Sequence, residues 1–263
     1  MELNGVEETL LIPLVIKANE TLRKKPRITD NKAVEILKEL NIDRISLSKF
    51  DKFISHEGVV ARTIMLDAAV KKAINQWPNA NIISIGCGLD ARFERVDNGI
   101  INWYNLDFPN VIELRKKFFD ENPRVHLIAK SALDTSWTTD IKKGSKTIII
   151  LEGILMYFSK DEVEKLFNII KENFDGAIIM AELMAELCAK NGGKNHDTVK
   201  NTNAKFKWGV KTAKDVELLC PGLKTVSDKS LNVVMKRYTL RGKLFAAIPF
   251  IKDMNDRLAI YSI

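Results

Sequence analysis

Ile83-Ser84-Ile85-Gly86-Cys87-Gly88-Leu89-Asp90-Ala91 is the stretch that decides how this chain is read. A short β-branched run ends in Gly-x-Gly-x-x-Ala. Glycines at that spacing let the backbone approach a ligand closely and aim main-chain N–H groups at it. The next run, Asn102-Trp103-Tyr104-Asn105-Leu106, reads as a second strand ending at Asp107. About 20 residues beyond the turn is where an acid meets both hydroxyls of an adenosine ribose. A glycine turn alone could be structural, with the acid as its cap. Strand, turn and strand-end acid in register predict a nucleoside-cofactor site.

The rest of the chain supplies the frame. Upstream, residues 7–22 carry a helical apolar stripe, with Pro13 forcing an interior kink or a late start. Thr29 or Asp30 can cap a helix over residues 31–39, and a third helical pattern runs over 59–77. Downstream, strands alternate with helices: a helix over 111–121, a strand over 125–129, and Thr147-Ile148-Ile149-Ile150-Leu151. A fully apolar strand of that kind is expected when both faces of a parallel sheet are covered. Ser159 caps a helix to about Asn173, and a buried strand over 177–181 follows. The alternation predicts a doubly wound α/β fold with mostly parallel strands. With no Pro/Gly/Ser linker, the expectation is one domain over 1–263, a helical N-terminal cap (1–78) on an α/β cofactor-binding core (79–263).

Composition narrows the function. The chain has 263 residues, 46% of them hydrophobic and 29% charged, which fits a globular protein and excludes collagen-like or disordered chains. Its apolar runs are far shorter than the roughly 18–20 residues of a membrane span. The acidic start lacks a signal peptide's features. Cys87, Cys188 and Cys220 form no CxxC pair, so neither metal site nor disulfide framework is expected. The expected location on these readings is a reducing cytoplasm. The net charge of +7 comes from scattered basic pairs such as Lys24-Lys25 and Lys116-Lys117. A nucleic-acid surface would cluster them.

Dinucleotide enzymes and methyltransferases share the strand-turn-acid geometry, so local chemistry must separate them. Leu89-Asp90-Ala91-Arg92-Phe93 puts charge at the turn, where a pyrophosphate would want bare backbone. The apolar strand ends in Glu152-Gly153, placing a carboxylate beside the crevice where open α/β sheets bind ligands. That acid suits a sulfonium or ammonium better than a diphosphate. Alternatively it is a structural acid bonding backbone amides. Both features lean toward S-adenosylmethionine.

The chain also resembles the leucine carboxyl methyltransferase / tetracenomycin-type polyketide O-methyltransferase group. The resemblance rests on Ala61-Arg62-Thr63, Gly86 to Arg95, Trp103-Tyr104-Asn105-Leu106-Asp107-Phe108-Pro109-Asn110-Val111-Ile112, Ser131-Ala132-Leu133-Asp134-Thr135-Ser136-Trp137 and Glu152-Gly153-Ile154-Leu155-Met156-Tyr157-Phe158. It implies a Rossmann-like class I methyltransferase whose seven-stranded, mostly parallel sheet ends in an antiparallel strand, here 257–263. By the same resemblance Arg62 pairs with the methionine carboxylate of S-adenosylmethionine, and Gly86, Cys87 and Gly88 lie beneath the methionine part. Asp107 and Phe108 flank the ribose, and Ser131, Ala132 and Leu133 lie beside adenine. Many members carry an acid where this chain has Ala132. Glu152 and Gly153 fall near the amino group, with Glu152 and Tyr157 as the catalytic candidates.

Methyl transfer from a sulfonium mainly needs alignment and a dry site. A carboxylate acceptor needs no base, whereas a hydroxyl gains from one. His56 is the best base candidate by position, His126 reads as structural, and His196 falls in a polar run. Phe50, Phe53, Phe206 and Trp208 read as core first and as pocket wall second. The expectation is an S-adenosylmethionine-dependent O-methyltransferase with a small-molecule hydroxyl or carboxylate acceptor. Its alternatives are a protein C-terminal carboxyl methyltransferase, an NAD(P)-dependent oxidoreductase and a nucleic-acid methyltransferase. Oligomeric state is left open.

Overall fold

The computed structural model describes residues 9–41, 48–190, 204–238, 240–248 and 255–263. Its centre is a seven-stranded sheet of order β3-β2-β1-β4-β5-β7-β6. The strands are β1 (Asn81–Ile85), β2 (Asn102–Asp107), β3 (Val125–Ala129), β4 (Thr147–Leu151), β5 (Ile178–Leu183), β6 (Lys224–Ser230) and β7 (Arg257–Ser262). The first five pair in parallel, and β7 runs antiparallel to both β5 and β6. The sheet order reverses beside β1, so the crevice beyond the C-terminal ends of β1 and β4 is where such a sheet takes ligands.

β1 and β4 are buried along their whole length because successive side chains point to opposite faces of the sheet and both faces are covered. Ile83, Ile85, Ile149 and Leu151 pack on one face against Val163, Leu166, Phe167 and Ile170 of α6 (Lys160–Asn173). Ile82, Ile148 and Ile150 pack on the other against Leu66, Val70, Ala73 and Ile74 of α3 (Phe53–Gln76). α6 begins with a capping box: Ser159 Oγ accepts from Glu162 N while the Glu162 carboxylate accepts from Ser159 N.

Other element ends differ from expectation for local reasons. α1 (Leu11–Thr21) takes the late start, because Pro13 in its first turn has no N–H to lose. In α2 (Asn31–Glu39) the cap is Asp30, accepting from Ala33 N at 3.0 Å. α3 starts six residues before the apolar stripe does. Its first turns bury Ser55, His56 and Glu57, which apolar periodicity cannot see, and Arg62 therefore lies in the third turn. α4 (Arg92–Val96) follows the glycine turn. α5 (Pro109–Arg115) is shorter than expected, because Lys117 N and Phe118 N turn back to Leu114 O and Arg115 O three residues earlier, tightening the chain out of the helix. β5 runs on to Leu183 and so includes Glu182. The C-terminal half adds α7 (Glu186–Lys190), α8 (Lys214–Leu219), α9 (Asn232–Tyr238) and α10 (Leu240–Ala247). Most of the polar run 190–203, with His196, lies outside the described residues. Among the described residues no helix is long and apolar enough to cross a membrane.

Candidate active site

The C-terminal ends of β1, β4 and β5 open into a cavity of about 210 Å³, walled on the opposite side by α1 and α3. Its floor is the glycine turn. Gly86 and Gly88 have φ of +69° and +49°, a region costly for any residue with a Cβ. Space is short as well: a Cβ on Gly86 would meet Ile154 Cδ1 at 2.7 Å, and one on Gly88 would meet Leu10 Cδ2 at 2.7 Å. Asp107 locks the turn from the end of β2, its two carboxylate oxygens accepting from Gly88 N and Phe108 N at 2.8 Å. Arg115 donates to Gly88 O at 3.0 Å from the other side.

Above the turn lies a junction of buried charge. Arg62 Nη1 donates to both oxygens of Glu182 at 2.9 and 2.8 Å, and Arg62 Nε stands 2.7 Å from Glu152 Oε1. Glu152 Oε2 is 2.6 Å from Arg92 Nη2, while Arg92 also holds Asp67 and Asp90 at 2.6 Å. Glu182 accepts from Gly153 N at 2.7 Å, and Lys17 of α1 reaches Asp90 at 2.6 Å. Burial alone would push the Glu152 carboxyl up, but the Arg92 and Arg62 guanidiniums bring it down to about 2. It is therefore ionised at neutral pH. Three buried atoms here, Arg62 Nε, Arg92 Nη2 and Glu152 Oε2, make no aligned hydrogen bond. Their contacts are ion pairs by distance, with the N–H directions turned off the oxygens. Unused hydrogen-bonding capacity at buried charges is costly unless something fills it. The junction can take one cation and one anion side by side.

The cavity brings together Arg62, Gly86, Cys87, Gly88, Glu152, Gly153 and Tyr157 of the expected residues. Tyr157 shares a hydrogen bond with Thr9, and burial pushes its hydroxyl up to about 12, so it stays protonated. Burial also raises the Cys87 thiol, which rules out a neutral-pH thiolate there. Asp107, Phe108, Ser131, Ala132 and Leu133 lie outside the cavity lining, along the same strand-end edge past β2 and β3. Ser131 Oγ accepts from Leu133 N at 3.2 Å, and Ala132 O accepts from Trp137 Nε1 at 3.1 Å.

His56, expected as the best base by position, stands outside the cavity lining, held between Asp51 at 2.6 Å and Glu20 at 2.8 Å. His126 stacks on Tyr104 with centroids 4.5 Å apart, consistent with a structural role. Of the aromatics, Phe206 lines the cavity, 5.7 Å from the Tyr157 ring. Phe50 and Trp208 are core, and Phe53 is exposed. Sequence reading missed Glu182, Arg92, Lys17 and Asp256. For Glu182 one signal was present: an acid within an otherwise apolar run, Ile178-Ile179-Met180-Ala181-Glu182-Leu183.

A sheet of this order with an antiparallel β7, a glycine turn after β1 and an acid ending β2 defines a Rossmann-like class I methyltransferase that uses S-adenosylmethionine. The profile of the leucine carboxyl methyltransferase family matches residues 12–171, and the chain belongs to that family. It is 28% identical over 228 residues to the tetracenomycin polyketide synthesis O-methyltransferase TcmP of Streptomyces glaucescens, covering 85% of this chain and 82% of that one. It is 24% identical over 245 residues to the S-adenosyl-L-methionine-dependent methyltransferase dpfgK of Gibberella zeae, covering 84% and 81%. Among solved structures, N-methyltransferase NodS from Bradyrhizobium japonicum in complex with S-adenosyl-L-homocysteine aligns with a TM-score of 0.52 at 14% identity, covering 89% of this chain and 98% of that one.

Proposed function

We propose that this methyltransferase transfers the methyl group of S-adenosylmethionine to an oxygen of a small-molecule acceptor, and that the junction of Arg62, Arg92 and Glu152 receives the amino-acid end of the cofactor. The carrying observation is the set of three buried, unaligned atoms on these side chains. An ammonium beside a carboxylate has the charges that would complete them. In this reading Arg62 turns its free N–H toward the cofactor carboxylate, while Glu182 fixes the guanidinium from behind. Glu152 takes the ammonium, and Arg92 keeps Glu152 ionised. Gly86, Cys87, Gly88 and Gly153 supply backbone to the cofactor, and at Gly86 and Gly88 a side chain would not fit. Asp107 and Phe108 meet the ribose, and Ser131, Ala132 and Leu133 lie beside adenine. Residues 1–78 act as a helical cap on the core of 79–263.

Bound S-adenosylmethionine supplies an electrophilic methyl group. The chain's own part is to align the acceptor and exclude water. Met156, Met184, Tyr157 and Phe206 give the cavity an apolar wall suited to that. The O-methyltransferase relative supports an oxygen acceptor. Calorimetric titration with S-adenosylhomocysteine and with NAD tests the reading. Saturable binding of the first alone is expected. Binding of NAD, or of neither, overturns it.

A further inference from the structure

Five carboxylates line the cavity among the described residues: Asp30, Asp90, Glu152, Glu182 and Asp256. Asp30, Asp90, Glu152 and Glu182 are each in an ion pair, with Arg95, Lys17 and the arginines of the junction. Asp256 pairs with no cation among the described residues, and its side chain accepts from Ala185 N at 3.3 Å. Sheet topology explains its place. Because β7 runs antiparallel, its N-terminal end lies at the same edge as the C-terminal ends of the parallel strands, with Arg257 opposite Leu183 of β5. Asp256 is thus two strands from Glu152, about 10 Å at ordinary strand spacing. It lies on the far side of the cavity from the glycine turn.

Its surroundings are anionic and apolar. Glu182 faces it from β5 and Arg62 from α3, the latter already committed to Glu182 and Glu152. Tyr157 and Cys188, the second on α7, feel its charge from the remaining sides. Asn255, beside it in the chain and also on the cavity lining, donates to Asn232 Oδ1 at 2.7 Å and accepts from the Asp256 backbone N–H at 2.9 Å. Asp256 is enclosed by protein and still partly accessible from the cavity.

We propose that Asp256 is the acceptor-side base, and that the acceptor is a neutral hydroxyl rather than a carboxylate. This rests on the methyltransferase reading above. Burial, and then the neighbouring Glu182 carboxylate, raise Asp256 to about 7, close to the best pKa for a base at neutral pH. The acceptor hydroxyl gives its proton to the Asp256 carboxylate as its oxygen bonds to the methyl carbon. The pair of the broken carbon–sulfur bond stays on sulfur, whose positive charge is lost. Charge counting supports a neutral acceptor. Counting Arg95, which pairs with Asp30, the cavity sets four cations against its five carboxylates, and the one net positive charge of S-adenosylmethionine brings the sum to zero. A carboxylate acceptor would add a negative charge with no cation left to meet it.

The test uses 2-naphthol and 2-naphthoate, which share a shape and differ in charge. Each is titrated calorimetrically into the complex with S-adenosylhomocysteine, in the wild type and in Asp256→Asn. Naphthol should bind the wild type at least tenfold more tightly than naphthoate. The variant should keep S-adenosylhomocysteine affinity within about twofold and weaken naphthol. Carboxyl ¹³C NMR of aspartate-labelled protein should show one resonance titrating near neutrality that the variant lacks. Methyl transfer to phenols should fall about 100-fold or more in the variant, and least for the most acidic phenols, which need no base. Naphthoate binding as tightly as naphthol, binding of neither, or a loss independent of phenol acidity overturns the proposal. So does an Asp256 resonance that titrates like an ordinary aspartate. Failure of the wild type to bind S-adenosylhomocysteine breaks instead the methyltransferase reading beneath it.

Discussion

Two clusters of buried charge meet on α3, and they are finished differently. In its first turns, His56 bridges Asp51 and Glu20, and Arg27 joins Glu20 to Glu57 with four side-chain bonds of 2.9 Å. None of these side chains has a buried nitrogen or oxygen without a hydrogen bond. In the third turn, Arg62 meets Glu152 and Glu182, Glu152 in turn meets Arg92, and three buried atoms stay unaligned. The clusters are alike in charge and burial. What separates them is unspent bonding capacity beside a cavity. The saturated cluster is closed business, a clamp between α1 and α3, and only the other has anything to offer a ligand.

Substitutions can break that contrast. Arg27→Met should have the largest effect, because it strands Glu20 and Glu57 in the interior. Removing one partner of a buried ion network costs about 3–5 kcal/mol. Urea unfolding should register it, with S-adenosylhomocysteine affinity nearly unchanged in the folded fraction. Glu152→Gln should do the reverse. Arg62 keeps Glu182 and Arg92 keeps Asp67 and Asp90, so unfolding should move little. Cofactor affinity should drop by about 1.5–3 kcal/mol, the worth of a charged hydrogen bond. An unchanged calorimetric affinity would make Glu152 a second structural acid and dissolve the contrast. Arg62→Lys should be milder, at about tenfold in affinity or 1.4 kcal/mol, since an ammonium cannot hold Glu182 in a fork while presenting another N–H.

The smallest effect is a pH dependence. Burial alone would push His56 down, but its bonds to Asp51 and Glu20 hold it above its ordinary value of 6.5. The stability it contributes is therefore fully present below pH 6.5 and is lost as pH rises through the higher folded value. Arg23 works against this by repelling the charged ring. Urea midpoints should decline gently from pH 6 upward in the wild type, and His56→Gln should flatten that decline.

These outcomes bear on what a reader of sequence can see. β1, β2 and β4 were legible because glycine, a strand-end acid and unbroken β-branched runs are backbone requirements, satisfied locally. The same holds for Asp107, Gly86 and Gly88. Arg62 and Glu152 were found as separate charges, but their direct contact was not, since residues 90 apart meet only through the sheet. Glu182 was hidden by placing the end of β5 one residue short of it. The first turns of α3 were hidden because they bury His56 and Glu57 where a periodicity argument looks for apolar side chains. Asp256 could not be read at all. Its meaning depends on an antiparallel strand returning to the ligand edge and on its having no ion pair among the described residues.

That return of β7 has a consequence for how the catalyst is assembled along its gene. The cavity is built from two lengths of chain that barely overlap in duty. Everything proposed to hold the cofactor falls between Arg62 and Gly153, inside the span that matches the family profile. Met184, Cys188, Phe206, Leu231 and Asp256, which face it across the cavity, all come later than residue 171. In the proposed reading the cofactor contacts thus fall in the first passage, while the acceptor wall combines the second with Met156 and Tyr157 of the first. A variant library confined to the second passage, with Glu182 kept as the partner of Arg62, can be screened for new acceptors while the first is left as it stands.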